Sequence, residues 1–132
     1  MRTYIIWDKN KTMRKNTIQI ADDEFRLNVD IYVFREGGNY ISYCPSLDIC
    51  SSGKDFNDAV KNFYEAFELY ADYWTEHGTL EADLKAHGWE VETRTARPPR
   101  PQSLLDRPMF SDLLAGDIAF ERIVSPVRIA VR

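Results

Sequence analysis

Four carboxylates, Glu65, Glu68, Asp72 and Glu76, follow one another at spacings of three and four residues. That spacing places them along one face of an α-helix. Such a face serves either as a docking surface for a basic partner, whose encounter it speeds and orients, or as an ordinary solvated helix surface. Metal-dependent cleavage of nucleic acid demands more. Its divalent ions need carboxylates that converge from strands as well as from a helix. Asp30 falls on the less apolar side of a strand pattern, and Asp48 falls in a turn. Neither is expected to meet Glu65 or Asp72 on the outer side of a helix. A second group, Arg94, Arg97 and Arg100, suits phosphate contacts or a solvated linker equally well. Nucleophilic chemistry has less to build on. Cys50, Ser51 and Ser52 precede Gly53 without forming a nucleophile elbow. His77 and His87 sit near helix C-termini, where a histidine complements the dipole. Cys44 and Cys50, five residues apart and far from both histidines, do not match zinc-ligand spacing. No cofactor or metal is expected.

The element that positions the acids is the run from Asp55 to His77. Phe56, Val60, Phe63, Phe67, Tyr70 and Trp74 recur at alternating spacings of four and three and predict a core-facing stripe. Ala59, Ala66 and Ala71 widen it. Asp55 suits the N-cap, Asp58 the N3 position, and Gly78 the left-handed residue just past the end. The apolar stripe needs a sheet to cover it. Leu27, Val29, Ile31 and Val33 alternate with polar or aromatic neighbours and predict a strand to Arg35. Glu36–Asn39 is a tight turn with two glycines; Tyr40–Cys44 returns as the antiparallel partner, ended by Pro45. Ile49–Ser52 predicts a third strand. A short helix from Thr79 to about Ala86 and a fourth strand at Trp89–Thr93 follow. Thr3–Trp7 and Thr17–Ile20 predict two short N-terminal strands. The expected fold is α+β, a mostly antiparallel sheet with one long helix on one face.

The domain boundaries follow from composition. Residues 1–93 are expected to form the α+β domain with its N-terminal strand extension. The Arg- and Pro-rich segment 94–101 is expected to be an extended, solvent-exposed linker. Residues 102–132 are expected to form a C-terminal extension with a short helix in 103–114 and a terminal strand. That strand needs a sheet edge, in its own chain or in a second copy.

A chain of 132 residues with 44% hydrophobic and 13% aromatic content is long and apolar enough for one real core. The net charge of −4 is unevenly spread. Residues 26–93 hold thirteen acids and five bases, whereas 94–132 hold four acids and seven bases. An acidic middle points away from nucleic acid and toward a basic partner or plain solubility. Without an apolar run of membrane-spanning length or a signal peptide, the sequence predicts no membrane association and a cytoplasmic location.

The run GGNYISYCPSLDICSSGKDFNDAVKNFYEAFELY resembles the HicB-like antitoxin family. The matching positions are Gly37, Gly38, Tyr40, Pro45, Leu47, Gly53, Asp55, Asp58 and Ala59, in order and at matching spacing. The resemblance covers residues 27–93, about half the chain. It implies a β-β-β-α-β domain, similar to a trimmed RNase H-like fold without its catalytic acids, and a homodimer. It also implies a non-enzymatic function: binding and neutralising a small basic HicA-like toxin that cleaves mRNA. Many relatives add a C-terminal DNA-binding module for repressing their own operon. No such module is evident here, and whether DNA is bound stays open. The leading expectation is therefore an antitoxin-like binding protein with Glu65, Glu68, Asp72 and Glu76 toward the partner. A stand-alone structural or regulatory dimer and a metal-dependent nuclease are the alternatives.

Overall fold

The computed structural model describes residues 2–4, 16–18, 24–116 and 118–130. Two three-residue strands, β1 (Arg2–Tyr4) and β2 (Asn16–Ile18), pair antiparallel; the rest of the two N-terminal strand predictions lies outside the described residues. The body of the fold begins with β3 (Glu24–Glu36), β4 (Asn39–Cys44) and β5 (Ile49–Gly53). Next come α1 (Phe56–His77), α2 (Leu80–Ala86), β6 (Glu90–Val91), β7 (Ala96–Arg97), a 3-10 turn at Pro101–Leu104, α3 (Pro108–Ala115) and β8 (Phe120–Ala130). The main sheet is antiparallel throughout, in the order β5-β4-β3-β8, and α1 packs against it. The fold is α+β, as the strand and helix patterns predict. Among the described residues no helix is long and apolar enough to cross a membrane.

Each element has a local cause. The β3–β4 hairpin turns on Gly37, whose φ of 61° lies in the left-handed region where a side chain is strained. At the far end of β5, Gly53 answers a different need. A Cβ there would lie 2.4 Å from the backbone nitrogen of Ala59, so strand and helix approach backbone to backbone. Helix α1 starts where Asp55 accepts the Asp58 amide at 2.8 Å, while the Asp58 carboxylate accepts the Lys54 amide. It stops at Gly78, φ 64°. There the Gly78 amide donates to the Thr75 carbonyl and the Thr79 amide to the Trp74 carbonyl, the paired bonds of a Schellman ending.

The sheet is buried on both faces. Leu27, Val29, Ile31 and Val33 meet Phe63, Phe67 and Trp74 of α1 in the larger core. On the other face Tyr32, Phe34 and Tyr43 pack under Leu104, Phe110 and Leu113. The aromatic alternates in β3 thus belong to a second, smaller core that the 3-10 turn and α3 cover.

Three expectations change. Trp89–Thr93 is not the fourth strand of the sheet: only Glu90 and Val91 extend, and they pair with Ala96 and Arg97 in a separate hairpin closed by the Glu92 amide on the Thr95 carbonyl. The segment 94–101, expected to be a solvated linker, carries β7, buries Ala96, and its Arg94 carbonyl accepts the Arg26 amide at 2.9 Å. This hairpin occupies the side of β3 that β4 leaves open. The fourth strand is β8, paired with β3 from Glu24↔Ala130 to Phe34↔Phe120. It runs through Pro126, which an edge strand tolerates because alternate amides face away from the ladder. In α1, Tyr70 departs from the core stripe and stands 48% exposed.

Candidate functional site: the solvent side of helix α1

Successive helical residues turn by about 100° around the axis, which divides α1 into three strips. Phe63, Phe67, Ala71 and Trp74 face the core and are buried. Asp72 and Glu76 lie near the opposite side and are exposed, with half-buried Glu65 beside them. Glu68 turns toward β8, and with Asp72, Glu76 and Thr75 it lines a groove of about 610 Å³ between α1 and that strand. The four predicted partner-binding acids are therefore together on one helix ridge. Tyr64 sits on the same flank as Glu68 and donates to Ser125 Oγ at 2.7 Å; burial pushes its pKa up, partly countered by that bond.

The ridge is electrically unbalanced. Several acids elsewhere do have bases: Asp30 with Arg122 at 3.0 Å, Glu24 with Arg128 at 2.9 Å, Glu81 with Lys85 at 3.0 Å, and Glu90 with Arg97. Among the described residues, no base pairs with Glu65, Asp72 or Glu76. From Phe56 to His87 there are seven acids and two lysines.

The third strip is apolar and open to solvent. Leu69 is 71% exposed and Tyr73 is 56% exposed. With Tyr70 they border a groove of about 720 Å³ whose floor is Leu47, Ala66 and Trp74. Asp48, Asp83 and His87 close its far side. The sequence signal for this strip was faint. In the sequence Tyr73 is an aromatic beside the core stripe, Tyr70 fits the core spacing and Leu69 fits no pattern.

No family model, curated protein or solved structure matches this chain. Its own residues carry the functional argument.

The three predicted phosphate-contacting arginines have different surroundings. Arg94 is half-buried in the connection to β7, and its carbonyl bonds to Arg26. Arg97 is engaged with Glu90 across the small hairpin. Arg100 is exposed, and its carbonyl accepts both the Ser103 amide and the Ser103 hydroxyl.

Other polar groups of the fold serve packing. Asp48, at a φ of 55°, accepts the Tyr43 hydroxyl at 3.2 Å and lies 3.8 Å from Arg107 Nη1. Burial and the adjacent Asp48 carboxylate raise the Tyr43 pKa. Arg107 also reaches the His87 carbonyl at 3.4 Å, tying the start of α3 to the end of α2. Asp30, a candidate nuclease ligand by residue type, belongs to the sheet face away from α1 because its neighbours Val29 and Ile31 pack toward the helix. It does not meet Glu65 or Asp72. Among the described residues, no three His, Cys, Asp or Glu side chains are grouped to hold a metal ion.

Proposed function

We propose that this protein is a non-enzymatic binding protein that captures a small basic partner on the solvent side of α1. Following the resemblance to HicB-like antitoxins, the partner is an mRNA-cleaving toxin neutralised by direct contact. One observation carries the reading. Glu65, Asp72 and Glu76 gather on one helix face, and among the described residues no base pairs with them. Concentrated charge of one sign accelerates and orients association with a partner of the other sign. The experiment is capture with tagged full-length chain at low salt, followed by mass spectrometry and a test of the captured protein on mRNA. A stoichiometric small basic ribonuclease whose cleavage stops when the chain is added supports the reading. Recovery of the chain alone overturns it.

Self-association is a second reading, favoured by β8. This eleven-residue strand forms one edge of the main sheet, and its Val124 is 56% exposed. An edge strand offers unpaired backbone groups to a second copy. Sedimentation of the chain beside a Val124→Lys variant tests this. A dimer weakened by the lysine supports pairing through β8, and a wild-type monomer overturns it.

A further inference from the structure

We infer that the groove beside Leu69, Tyr70 and Tyr73 receives an apolar side chain from a basic amphipathic segment of the partner protein, with a lysine or arginine of that segment set against Asp83. The inference rests on the reading of the chain as a binder of a basic protein, and adds to it a specific anchor site.

The groove is built before anything enters it. The Tyr70 ring lies 5.9 Å from the Trp74 ring, and the Tyr73 ring stacks on His77 at 4.0 Å with planes 24° apart. The His77 ring is itself fixed, with Nδ1 2.9 Å from the Tyr73 carbonyl. Walls held in this way lose little side-chain freedom on binding, which favours affinity. The floor is apolar, as Leu47 and Trp74 are buried core residues. Exposed Leu69 and two tyrosines over such a floor form the kind of contiguous patch that marks an interaction surface.

Charge selects the occupant. No lysine or arginine lines the groove. Asp48 is already engaged by Tyr43 and Arg107, whereas no hydrogen bond or ion pair engages the Asp83 carboxylate among the described residues. Glu65 and Glu76 flank Leu69 on the helix surface, four residues before it and seven after. A basic segment would meet one unengaged carboxylate across the groove and more along the ridge. A second copy would instead bring its own acids against these.

The test uses two amphipathic fourteen-residue peptides of identical leucine spacing, one with lysine and one with glutamate on the polar face. Each is titrated calorimetrically into the full chain and its variants, with melting temperature as the folding control. The lysine peptide is expected to bind and the glutamate peptide is not. Leu69→Ser with Tyr73→Ser should weaken binding by about tenfold or more, as loss of interface anchors does. Asp83→Asn should weaken it by about threefold, with the difference shrinking in high salt. Equal binding of both peptides overturns the inference, as does unchanged affinity in the Leu69, Tyr73 double variant. Self-association abolished by that double variant also overturns it, by making a second copy the occupant. If the double variant captures the native partner at full strength, the groove fails while the broader reading stands. A chain that binds the lysine peptide at the groove but captures no basic protein retains the groove and loses the broader reading.

Discussion

The Tyr64 hydroxyl donates to Ser125 Oγ at 2.7 Å across 61 residues of sequence, and this bond fastens α1 to the edge strand β8. Ser125 is buried and Tyr64 half-buried, so both groups have left water to make it. Removing either partner breaks the bond, although Ser125 Oγ also lies 3.5 Å from the Pro126 carbonyl. Tyr64→Phe and Ser125→Ala should each lower stability by about 1 kcal/mol. The double variant should lose less than the sum of the two, because the first change has already broken the bond they share. Urea unfolding of the four proteins measures the coupling, and strict additivity would show that the bond contributes nothing.

Gly53 and Gly37 separate two reasons for glycine. An added Cβ at Gly53 runs into the Ala59 backbone at 2.4 Å, where no side chain can rotate away. At Gly37 it meets nothing within 4 Å, and only the positive φ is at issue. Gly37→Ala should therefore cost about 1–2 kcal/mol, the ordinary price of a left-handed residue. Gly53→Ala should cost more, about 3 kcal/mol or beyond, as overpacking pushes the start of α1 off β5. Thermal unfolding of the two variants ranks them. Equal losses would mean that the strand and helix separate easily.

Local pattern revealed what local physics decides. Leu27 to Val33 alternate because one face of a strand meets a core, and Phe63, Phe67 and Trp74 recur because one face of a helix does. Both periodicities are complete within a few residues. Tyr70 has the same spacing yet stands exposed, because what covers a helix position depends on elements brought there from elsewhere. Beside Tyr70 those are the Leu47–Asp48 turn and the end of α2, and they leave a groove. The pairing of Glu24 with Ala130 is likewise a long-range fact for which β8 carries no local sign. The alternation in Trp89–Thr93 misleads for the converse reason. Its partner is the next short segment, so the pair forms a hairpin and the sheet edge goes to β8. The acids of the ridge were legible as a helix face. Asp83 and Leu69 were not, since their importance comes only from what lies across the groove.

Reversal of the ridge charges should separate binding from folding. Asp72 and Glu76 are exposed, with no ion pair among the described residues, so Asp72→Lys with Glu76→Lys should change stability by only about 0.5 kcal/mol either way. The same pair of changes adds like charge against a basic partner and should slow association by about tenfold at low salt, with the difference fading as screening rises. Stopped-flow association at two salt concentrations, beside a melting curve, reads both effects. An unchanged rate would move the docking surface off the ridge.

The two thiols should report the core and the surface separately. Cys50 is exposed, whereas Cys44 is fully buried, and burial pushes the Cys44 pKa from 9.0 up to about 11, against the opposing pull of its bond to Ser46. In the native chain a thiol reagent at pH 8 should modify one cysteine quickly, and the second only after unfolding. The raised pKa also sets a sign for stability. Above pH 9 the unfolded chain releases the Cys44 proton while the folded chain keeps it, so the unfolded state binds fewer protons and stability falls as pH rises. The contribution is whole below pH 9 and is lost progressively by about pH 11. Replacing the thiol with Cys44→Ala should lower stability at pH 7 by removing buried volume, yet it should flatten the decline between pH 9 and 11. Denaturant unfolding at several alkaline pH values compares the slopes. Parallel curves for the two proteins would place the alkaline loss on other groups, with Tyr43 first among them because burial also raises its pKa.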